Sequence, residues 1–299
     1  MSDVKIVSKI LTLVPNASFK LEKDKCVYAS FIDKDSTFQG CLRSKTQKEK
    51  NAILKLLANL NNLQVLDLRK NRLEKIPEFN MPHLKHLDLA SNYLGYVPNF
   101  ANKLHMNFLN LGVNNLENIP DWIFSLEKLK VLKLHKNKIR SIGSLETLKD
   151  LEFLNLYLNK IKNIPDQICK LTNLKFFSWG MSGITSLPKD IGNLHKLEWL
   201  SLVANKIKSL PDSVCNLKNM VGLRLNKNHL EYLPNDIGNL ENLRELSLYN
   251  NKIKKVPRSF YNLKLEKLNI CGNLFSLSQH MNCKWVCQQE SDCIWQDEK

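Results

Sequence analysis

The chain has 299 residues, 43% of them hydrophobic and 24% charged, which places it among globular proteins and excludes disordered and collagen-like classes. Lysine and arginine exceed aspartate and glutamate by 44 − 29 = 15, a balance that favours acidic proteins, nucleic acid or anionic membranes as partners. The sequence contains no run of 18 apolar residues, so it predicts no membrane-spanning helix.

The first 62 residues are predicted to form an N-terminal cap. Three segments, ILTLVP, FKLEKDKCVYASF and TFQGCL, have the composition of short strands. The segment NAILKLLANLNNL has apolar residues at helical spacing and is predicted to be a helix that covers the open end of the core. A small independent recognition domain is the alternative, although about 50 residues rarely fold alone.

The compartment is predicted from the N-terminus and the cysteines. The apolar run before Pro15 is shorter than the roughly 7 to 15 residues of a signal-peptide core. We therefore expect a cytoplasmic protein, with a nuclear location as the alternative. The alternative is an extracellular recognition module with disulfide-bonded caps. In that case Cys26 is expected to bridge Cys41, and the C-terminal tail to hold two further disulfides.

Residues 63 to 275 consist of ten copies of one motif, exemplified by LQVLDLRKNRLEKIP and spaced 21 to 23 residues apart. The copies begin at Leu63, Leu84, Met106, Leu129, Leu151, Leu174, Leu197, Met220, Leu243 and Leu265. Counted from this first residue, the alternation in LxxLxL predicts a short strand whose fourth and sixth side chains face a core. The third, fifth and seventh side chains face the other side. Stacked copies bury one continuous core, so a solenoid is predicted.

Polar residues at two further positions are predicted to satisfy backbone groups. The ninth-position asparagines are expected to form a ladder, because a carboxamide both donates and accepts hydrogen bonds. Ser182 replaces asparagine in the sixth copy, so a weaker ladder is predicted there. Aspartates just after the proline of the motif are predicted to cap short helical turns, and these are Asp121, Asp166, Asp190, Asp212 and Asp236.

This pattern resembles the leucine-rich repeat family, with the motif LxxLxLxxNxLxxLP followed by PxxIxxLxxL, over about 210 of the 299 residues. The resemblance implies an α/β solenoid, a horseshoe with about ten parallel strands on its concave face. It also implies caps at residues 1–62 and 276–299, on either side of the repeats at 63–275. The 23-residue LP form is similar to the intracellular group related to Ras-suppressor and Scribble-type proteins.

The same resemblance implies a function. Proteins of this group suggest a non-catalytic scaffold or adaptor in intracellular signalling that binds a partner protein on its concave face. The partner is then expected to be a small GTPase, a phosphatase, a kinase or a ubiquitin-ligase component. Family likeness fixes architecture better than function, so the residues themselves must identify the site.

The third position, on the predicted concave face, carries large apolar residues in five consecutive central copies, namely Phe108, Val131, Phe153, Phe176 and Trp199. Parallel strands are expected to align these side chains in one ladder, with Tyr157 and Met181 beside it. An exposed apolar patch of this size is typical of a protein-binding site. Together with Arg224 of the fifth position, these residues are the predicted partner-binding site. In the alternative, the aromatic side chains only stack and stiffen the sheet.

Basic residues of the seventh, eighth and tenth positions are predicted to surround this patch, where they fit an acidic protein surface. They are Arg69, Lys70, Arg72, His135, Lys136, Lys138, Lys160, Lys206, Lys227, His229 and Lys252. The alternative function is a binder of nucleic acid or another acidic surface, with an affinity that falls steeply with salt. No nucleic-acid-binding motif is recognisable, so a protein partner is preferred.

The sequence offers little support for catalysis. Its seven histidines fall at scattered positions, and none is paired in sequence with a nucleophile and an orienting carboxylate. The chain is therefore predicted not to be an enzyme and to use no cofactor. His280, Cys283, Cys287 and Cys293 form a candidate zinc site but lack CxxC spacing, so a capping helix with buried thiols is preferred.

Overall fold

The structure is a computed structural model that describes residues 2–32, 41–100 and 105–275. The chain divides into two compact units, residues 1–161 and residues 162–299. Each unit contains short parallel strands, one for each copy of the sequence motif. Within the described ranges, neither α-helix has the length and apolar character needed to cross a membrane.

The first unit begins with a helix and a hairpin. Helix α1 (Asp3–Leu13) is followed by strands β1 (Ser18–Glu22) and β2 (Lys25–Ser30), which pair antiparallel. These strands confirm the prediction for FKLEKDKCVYASF. The strand predicted for ILTLVP is wrong, because its first four residues belong to α1. Most of the TFQGCL segment lies outside the described residues.

Helix α2 (Gln47–Leu57) confirms the helix predicted for NAILKLLANLNNL, although it begins before that segment. Thr46 caps it: the Glu49 N–H donates to Thr46 Oγ1 at 3.3 Å, and the Thr46 N–H donates to Glu49 Oε2 at 2.7 Å. This capping box satisfies two N–H groups that have no partner within the helix. The buried apolar residues of the two helices are Ile6, Val7, Ile10, Ile53, Leu54 and Leu57.

In the first unit the repeat strands follow β2 in chain order, and β2 itself pairs parallel with the first of them. Each repeat strand begins at the third position of its copy and pairs in register with the next. They are β3 (Val65–Asp67), β4 (His86–Asp88), β5 (Phe108–Asn110), β6 (Val131–Lys133) and β7 (Phe153–Asn155).

The second unit repeats this arrangement with five more parallel strands in chain order and in register. They are β8 (Phe176–Ser178), β9 (Trp199–Ser201), β10 (Gly222–Arg224), β11 (Glu245–Ser247) and β12 (Lys267–Asn269). The strands of the two units match the ten copies predicted from the sequence. Leucines of the fourth and sixth positions form the core, as Leu109 and Leu111 do in the first unit and Leu223 and Leu225 in the second.

Short 3₁₀ segments lie between the strands, at the positions predicted for helical turns. Their apolar residues, such as Ile123 and Ile168, are buried. The predicted aspartate caps are wrong, because no side-chain capping bond forms at the N-cap position of the segments where these aspartates lie. The segments are Asp121–Ser125, Leu145–Thr147, Asp166–Lys170, Ile191–Asn193, Asp212–Asn216, Ile237–Asn239 and Arg258–Asn262.

The predicted asparagine ladder is confirmed. Asn114 Nδ2 donates to the carbonyls of Leu89 and Leu111 at 3.0 and 3.1 Å, and its Oδ1 accepts from the Leu94 N–H at 3.0 Å. One side chain therefore joins its own copy to the preceding one through buried backbone groups. The same pattern recurs in the second unit at Asn228 and Asn251.

The residue before the ladder position has a positive φ, between 51° and 67°, in every copy. This left-handed conformation lets the chain turn directly after the strand, and it is unfavourable for residues with a Cβ atom. Only the tenth copy has glycine there. The residues are Lys70, Ser91, Val113, Lys136, Leu158, Met181, Ala204, Lys227, Asn250 and Gly272.

Ser182 makes fewer ladder bonds than asparagine, as predicted. Its hydroxyl donates to the Gly180 carbonyl at 3.2 Å, within its own copy. As in other copies, the asparagine of the next copy holds this turn: Asn205 Oδ1 accepts from the N–H groups of Ser182, Gly183 and Ile184. The segment beyond residue 275, predicted as the C-terminal cap, lies outside the described residues.

Candidate functional site

The open face of each sheet, defined by the third, fifth and seventh positions, lies opposite the leucine core. Third-position side chains are half-buried in eight of the ten copies, while fourth-position side chains are buried in all ten. The alternation on which the site prediction depends is therefore present. Half-burial leaves part of each third-position side chain in contact with water.

In the first unit, Phe108, Val131 and Phe153 lie side by side in register on the open face. His86 precedes them and stacks on Phe108, with ring centroids 3.8 Å apart and planes inclined by 5°. The Lys133 ammonium lies 5.3 Å from the centroid of the Phe153 ring, a cation–π distance. These contacts account for part of the burial.

The third-position row has two further members, Tyr28 and His86. Tyr28 of β2 pairs with Val65, which adds a tyrosine to the third-position row. His86 occupies a third position in the sequence, so its place beside Phe108 was recognisable from the repeat spacing. Tyr28 was not recognisable, because it precedes the repeats and nothing in its local sequence sets its register.

In the second unit, Phe176 and Trp199 are paired in register and half-buried. Gly222 follows Trp199 in the row, and a Cβ atom at Gly222 would overlap the six-membered ring of the Trp199 indole. The indole therefore lies against the backbone of the next strand. Glycine at this third position makes the close approach possible.

The remaining predicted site residues differ in their surroundings. Tyr157 is half-buried, and burial raises the pKa of its phenol. Met181 is 44% exposed. Arg224 is half-buried and its guanidinium lies 3.4 Å from the Glu245 carboxylate, which also contacts the Lys267 ammonium at 2.6 Å.

The fifth position departs from the expected pattern, because six of its side chains are buried rather than open. In the first unit, Asp88 Oδ1 accepts from the Ala90 N–H at 3.0 Å, and Asn110 Oδ1 accepts from the Gly112 N–H at 3.0 Å. A short polar side chain thus closes a turn at the end of the strand. The buried residues are Asp67, Asp88, Asn110, Asn155, Ser178 and Ser201.

A cluster of charged groups lies at the start of the first repeat sheet. Arg69 Nη2 donates to Asp67 Oδ2 at 2.9 Å, and Arg69 Nε lies 3.4 Å from Asp88 Oδ2. Burial raises the pKa of Asp88 to about 6, although Arg69 and the Ala90 N–H oppose this effect. Burial lowers the pKa of His86, which favours the neutral imidazole at pH 7. Arg69 is therefore occupied by carboxylates and adds little to a basic rim.

The basic residues of the predicted rim are mostly exposed. His135 differs, because a Cβ atom at Gly112 would overlap its imidazole, so the ring lies flat against that strand. The exposed members are Arg69, Arg72, Lys136, Lys138, Lys160, Lys206, Lys227 and Lys252, while Lys70 and His229 are half-buried.

The described cysteines include both thiols and a disulfide-bonded residue. Cys26, Cys41, Cys169 and Cys215 form no disulfide, so the Cys26–Cys41 bridge expected for an extracellular module is wrong. Cys271 is disulfide-bonded. No group of three His, Cys, Asp or Glu side chains in the described ranges is arranged to hold a metal ion. The candidate zinc ligands His280, Cys283, Cys287 and Cys293 lie outside those ranges.

Family models match most of the repeat region. A model described as a leucine-rich repeat region matches residues 159–282. Models described as two copies of leucine-rich repeats and as a leucine-rich repeat match residues 61–102 and 104–161. The chain belongs to the leucine-rich repeat family. Leucine-rich repeat proteins generally act in protein–protein interaction and are typically non-catalytic.

Solved structures of other leucine-rich repeat proteins share the fold. An internalin, InlF of Listeria monocytogenes, is 20% identical with a TM-score of 0.69, over 92% of this chain and 90% of that chain. A leucine-rich repeat protein of Leptospira interrogans is 24% identical with a TM-score of 0.50, over 78% and 76%. These two comparisons show the fold alone.

A third similar structure is the ectodomain of the receptor kinase GASSHO1/SCHENGEN3 of Arabidopsis thaliana, solved in complex with CASPARIAN STRIP INTEGRITY FACTOR 2. It is 26% identical with a TM-score of 0.63 and is matched over 74% of this chain. The match covers only 28% of the receptor chain, so this leucine-rich repeat protein corresponds to a little over a quarter of that length.

Proposed function

We propose that this protein is a non-catalytic scaffold or adaptor that binds a partner protein on the open face of its sheets, the predicted concave face. The observation that carries the proposal is the row of large apolar side chains at the starts of adjacent strands. Aromatic side chains with part of their surface in water are typical anchors of protein interfaces. The receptor ectodomain, solved in complex with CASPARIAN STRIP INTEGRITY FACTOR 2, supports a role in recognition.

The first unit supplies Phe108, Val131 and Phe153 to the proposed site, with Tyr157 two residues beyond β7. Stacking of His86 on Phe108 stiffens this row. A stiff row loses little conformational entropy when a partner covers it, so stacking and binding are compatible.

The second unit supplies Phe176 and Trp199, with the exposed Met181 after β8. The face changes character at the next strands, where Arg224, Glu245 and Lys267 form ion pairs. A partner that covers Trp199 would also approach Arg224, which lies on the adjacent strand. Charged groups at the border of an apolar contact favour specificity more than affinity.

The partner class follows from the family resemblance and the composition. We propose a partner with acidic and hydrophobic features, such as a small GTPase, a phosphatase, a kinase or a ubiquitin-ligase component. The 23-residue LP motif supports a relationship to the Ras-suppressor and Scribble-type group. The excess of lysine and arginine supports an acidic partner surface.

The test is affinity capture from the native cell with the wild-type chain and a variant that carries Phe153→Ala, Phe176→Ala and Trp199→Ala. Each truncation removes an aromatic anchor, so partner recovery is expected to fall at least tenfold. Recovery is measured by quantitative mass spectrometry at equal bait concentration.

The matched control carries Tyr93→Ala and Tyr96→Ala, which remove two exposed aromatic rings that lie after β4 and outside the open face. Recovery of the same partners is expected to stay within twofold of wild type. If the triple variant, still folded by circular dichroism, retains its partners, the open face is not the binding site.

We further propose a cytoplasmic location, supported by the free thiols of Cys26, Cys169 and Cys215. Cytosolic proteins rarely keep structural disulfides, because glutathione and thioredoxin hold thiols reduced. Signalling scaffolds of the proposed group act in this compartment.

One observation favours a second candidate, the extracellular recognition module. Cys271 is disulfide-bonded, and disulfides persist in oxidising compartments.

Thiol labelling distinguishes the two compartments. Protein from native cells is denatured in iodoacetamide, then reduced and labelled with a second reagent, and each cysteine is assigned by mass spectrometry. For a cytoplasmic protein, all eight cysteines are expected to carry the first label. If Cys271 does not carry the first label, the result supports the extracellular candidate and contradicts the cytoplasmic one.

A further inference from the structure

The positive charge of the second unit is concentrated on one edge of its sheet, formed by the turns that follow strands β9, β10 and β11. These turns, residues 204–209, 227–232 and 250–255, contain six lysines and one glutamate. The intervening segments, residues 211–219 and 234–242, contain one lysine and three acidic residues. The asymmetry shows that the lysines do not simply follow the composition of the chain.

All six lysines of this basic edge are exposed, and none forms an ion pair with a described carboxylate. In the same unit, Arg224, Arg244 and Lys267 do lie beside glutamates. The basic edge therefore presents uncompensated charge to solvent. Its members are Lys206, Lys208, Lys227, Lys252, Lys254 and Lys255.

The backbone of the basic edge is fixed from one turn to the next. The His229 N–H donates to the Ile207 carbonyl at 2.9 Å, and the Lys252 N–H donates to the Leu230 carbonyl at 2.8 Å. Adjacent strands are about 4.8 Å apart, so Lys206 and Lys252, two strands apart, are separated by about 10 Å. The lysines thus form a two-dimensional array on rigid turns.

A tyrosine stands within this array. Tyr232 is 56% exposed and occupies the turn between those that carry Lys208 and Lys254. An aromatic ring with a polar tip, surrounded by lysines, suits the headgroup region of a bilayer. A single-stranded nucleic acid would instead require several aromatic rings along a basic groove, and the edge has one.

From this arrangement we infer that the basic edge binds a membrane surface rich in anionic lipid, with the lysines at the headgroups and Tyr232 at the interface. Binding is peripheral and electrostatic. Each lysine near an anionic surface strengthens binding about fivefold. Lys206, Lys227 and Lys252 belong to the predicted rim as well, so at this edge the membrane takes the place of an acidic protein surface.

The experiment is co-sedimentation of the full chain with vesicles of phosphatidylcholine, with and without phosphatidylserine. Wild type is expected to bind the phosphatidylserine vesicles at least tenfold more tightly, and added salt is expected to weaken this binding. The edge variant carries Lys206→Gln, Lys208→Gln, Lys252→Gln and Lys254→Gln. It is expected to lose more than nine-tenths of that preference.

The matched control variant carries Lys170→Gln, Lys189→Gln, Lys196→Gln and Lys218→Gln. It removes the same charge from exposed lysines of the second unit that lie outside the basic edge, and it is expected to keep most of the preference. Tyr232→Ala is expected to weaken binding severalfold without changing its salt dependence.

Three outcomes would overturn the inference. The first is that wild type shows no preference for phosphatidylserine vesicles. The second is that the two quadruple variants lose the preference equally. The third is that a single-stranded oligonucleotide binds more tightly than the vesicles. Equal loss assigns binding to net charge alone, and tighter oligonucleotide binding assigns the edge to nucleic acid.

Discussion

Replacement of Asn228 by alanine is expected to lower the free energy of unfolding by about 3 kcal/mol. The side chain is buried, and its Nδ2 donates to the carbonyls of Leu202 and Leu225, both at 2.9 Å. Its Oδ1 accepts from the Ile207 N–H at 3.1 Å. Alanine removes all three bonds at once.

The three hydrogen bonds of Asn228 contribute unequally to the free energy of unfolding. The Leu202 and Leu225 carbonyls also accept from Asn205 and Asn251, so each keeps one partner after the substitution. The Ile207 N–H loses the acceptor that Asn228 supplies, and a buried unpaired donor costs about 1–3 kcal/mol. The remaining loss comes from the two donated bonds, at about 1 kcal/mol each or less.

The measurement is urea denaturation followed by circular dichroism, with Asn242→Ala as the control. Asn242 is exposed, and its Nδ2 donates to the Lys218 carbonyl at 2.8 Å. This substitution is expected to cost less than about 1 kcal/mol, because water replaces the lost bond. A loss at Asn228 no larger than that at Asn242 would mean that the ladder does not hold the turns.

Repeat spacing allowed the strands and the row of third-position residues to be predicted, because each copy must present the same face to its neighbours. Phe108, Phe176 and Trp199 all begin strands, as expected from that register. The asparagine ladder was predictable for the same reason. A buried turn needs one side chain that both donates and accepts.

The fifth position was not predictable from alternation alone. Asp88 and Asn110 alternate with the core leucines, yet both are buried because their side chains fold back onto the backbone two residues later. Alternation assigns a face of the sheet and does not tell whether a short polar side chain points to solvent.

The left-handed conformation of the eighth position could not be predicted from the sequence either, because this position holds residues as different as Val113, Leu158 and Gly272. Local preference does not decide this conformation. The hydrogen bonds of the neighbouring copies impose it.

Helix α1 occupies a segment for which composition and spacing predict different structures. Ile6, Val7 and Ile10 lie on one face at intervals of one and three residues, which is a helical pattern. The β-branched content of the segment favoured a strand. Packing of this face decided the conformation, since tertiary contacts override weak local preference.

Trp179→Ala is expected to give a larger loss than Asn228→Ala, about 4 kcal/mol in the free energy of unfolding. Trp179 takes the sixth position of its copy, where the neighbouring copies have Leu156 and Leu202. It is fully buried, and its ring meets Phe177 edge to face, with centroids 5.7 Å apart. Alanine leaves a large cavity on rigid strands that relax little.

Trp199→Ala is the matched comparison, because it removes the same side chain from the open face of the next strand. Trp199 is half-buried, so its removal is expected to cost about 1 kcal/mol, the size of a cross-strand contact. Partner binding, in contrast, is expected to be lost with Trp199. Trp179→Leu is expected to recover part of the stability, since leucine fills this position in other copies.

Urea denaturation of the three variants, read beside partner capture, separates the two roles of tryptophan in this segment. If Trp179 is a core residue, Trp179→Ala lowers the free energy of unfolding strongly. If Trp199 is a binding residue, Trp199→Ala abolishes partner capture while the free energy of unfolding stays nearly unchanged. The opposite assignment, with a large stability loss at Trp199 and unchanged capture, would make the aromatic row a structural stiffener. The open face would then have no anchor in the second unit except Phe176 and Met181, which bury too little surface for a specific interface.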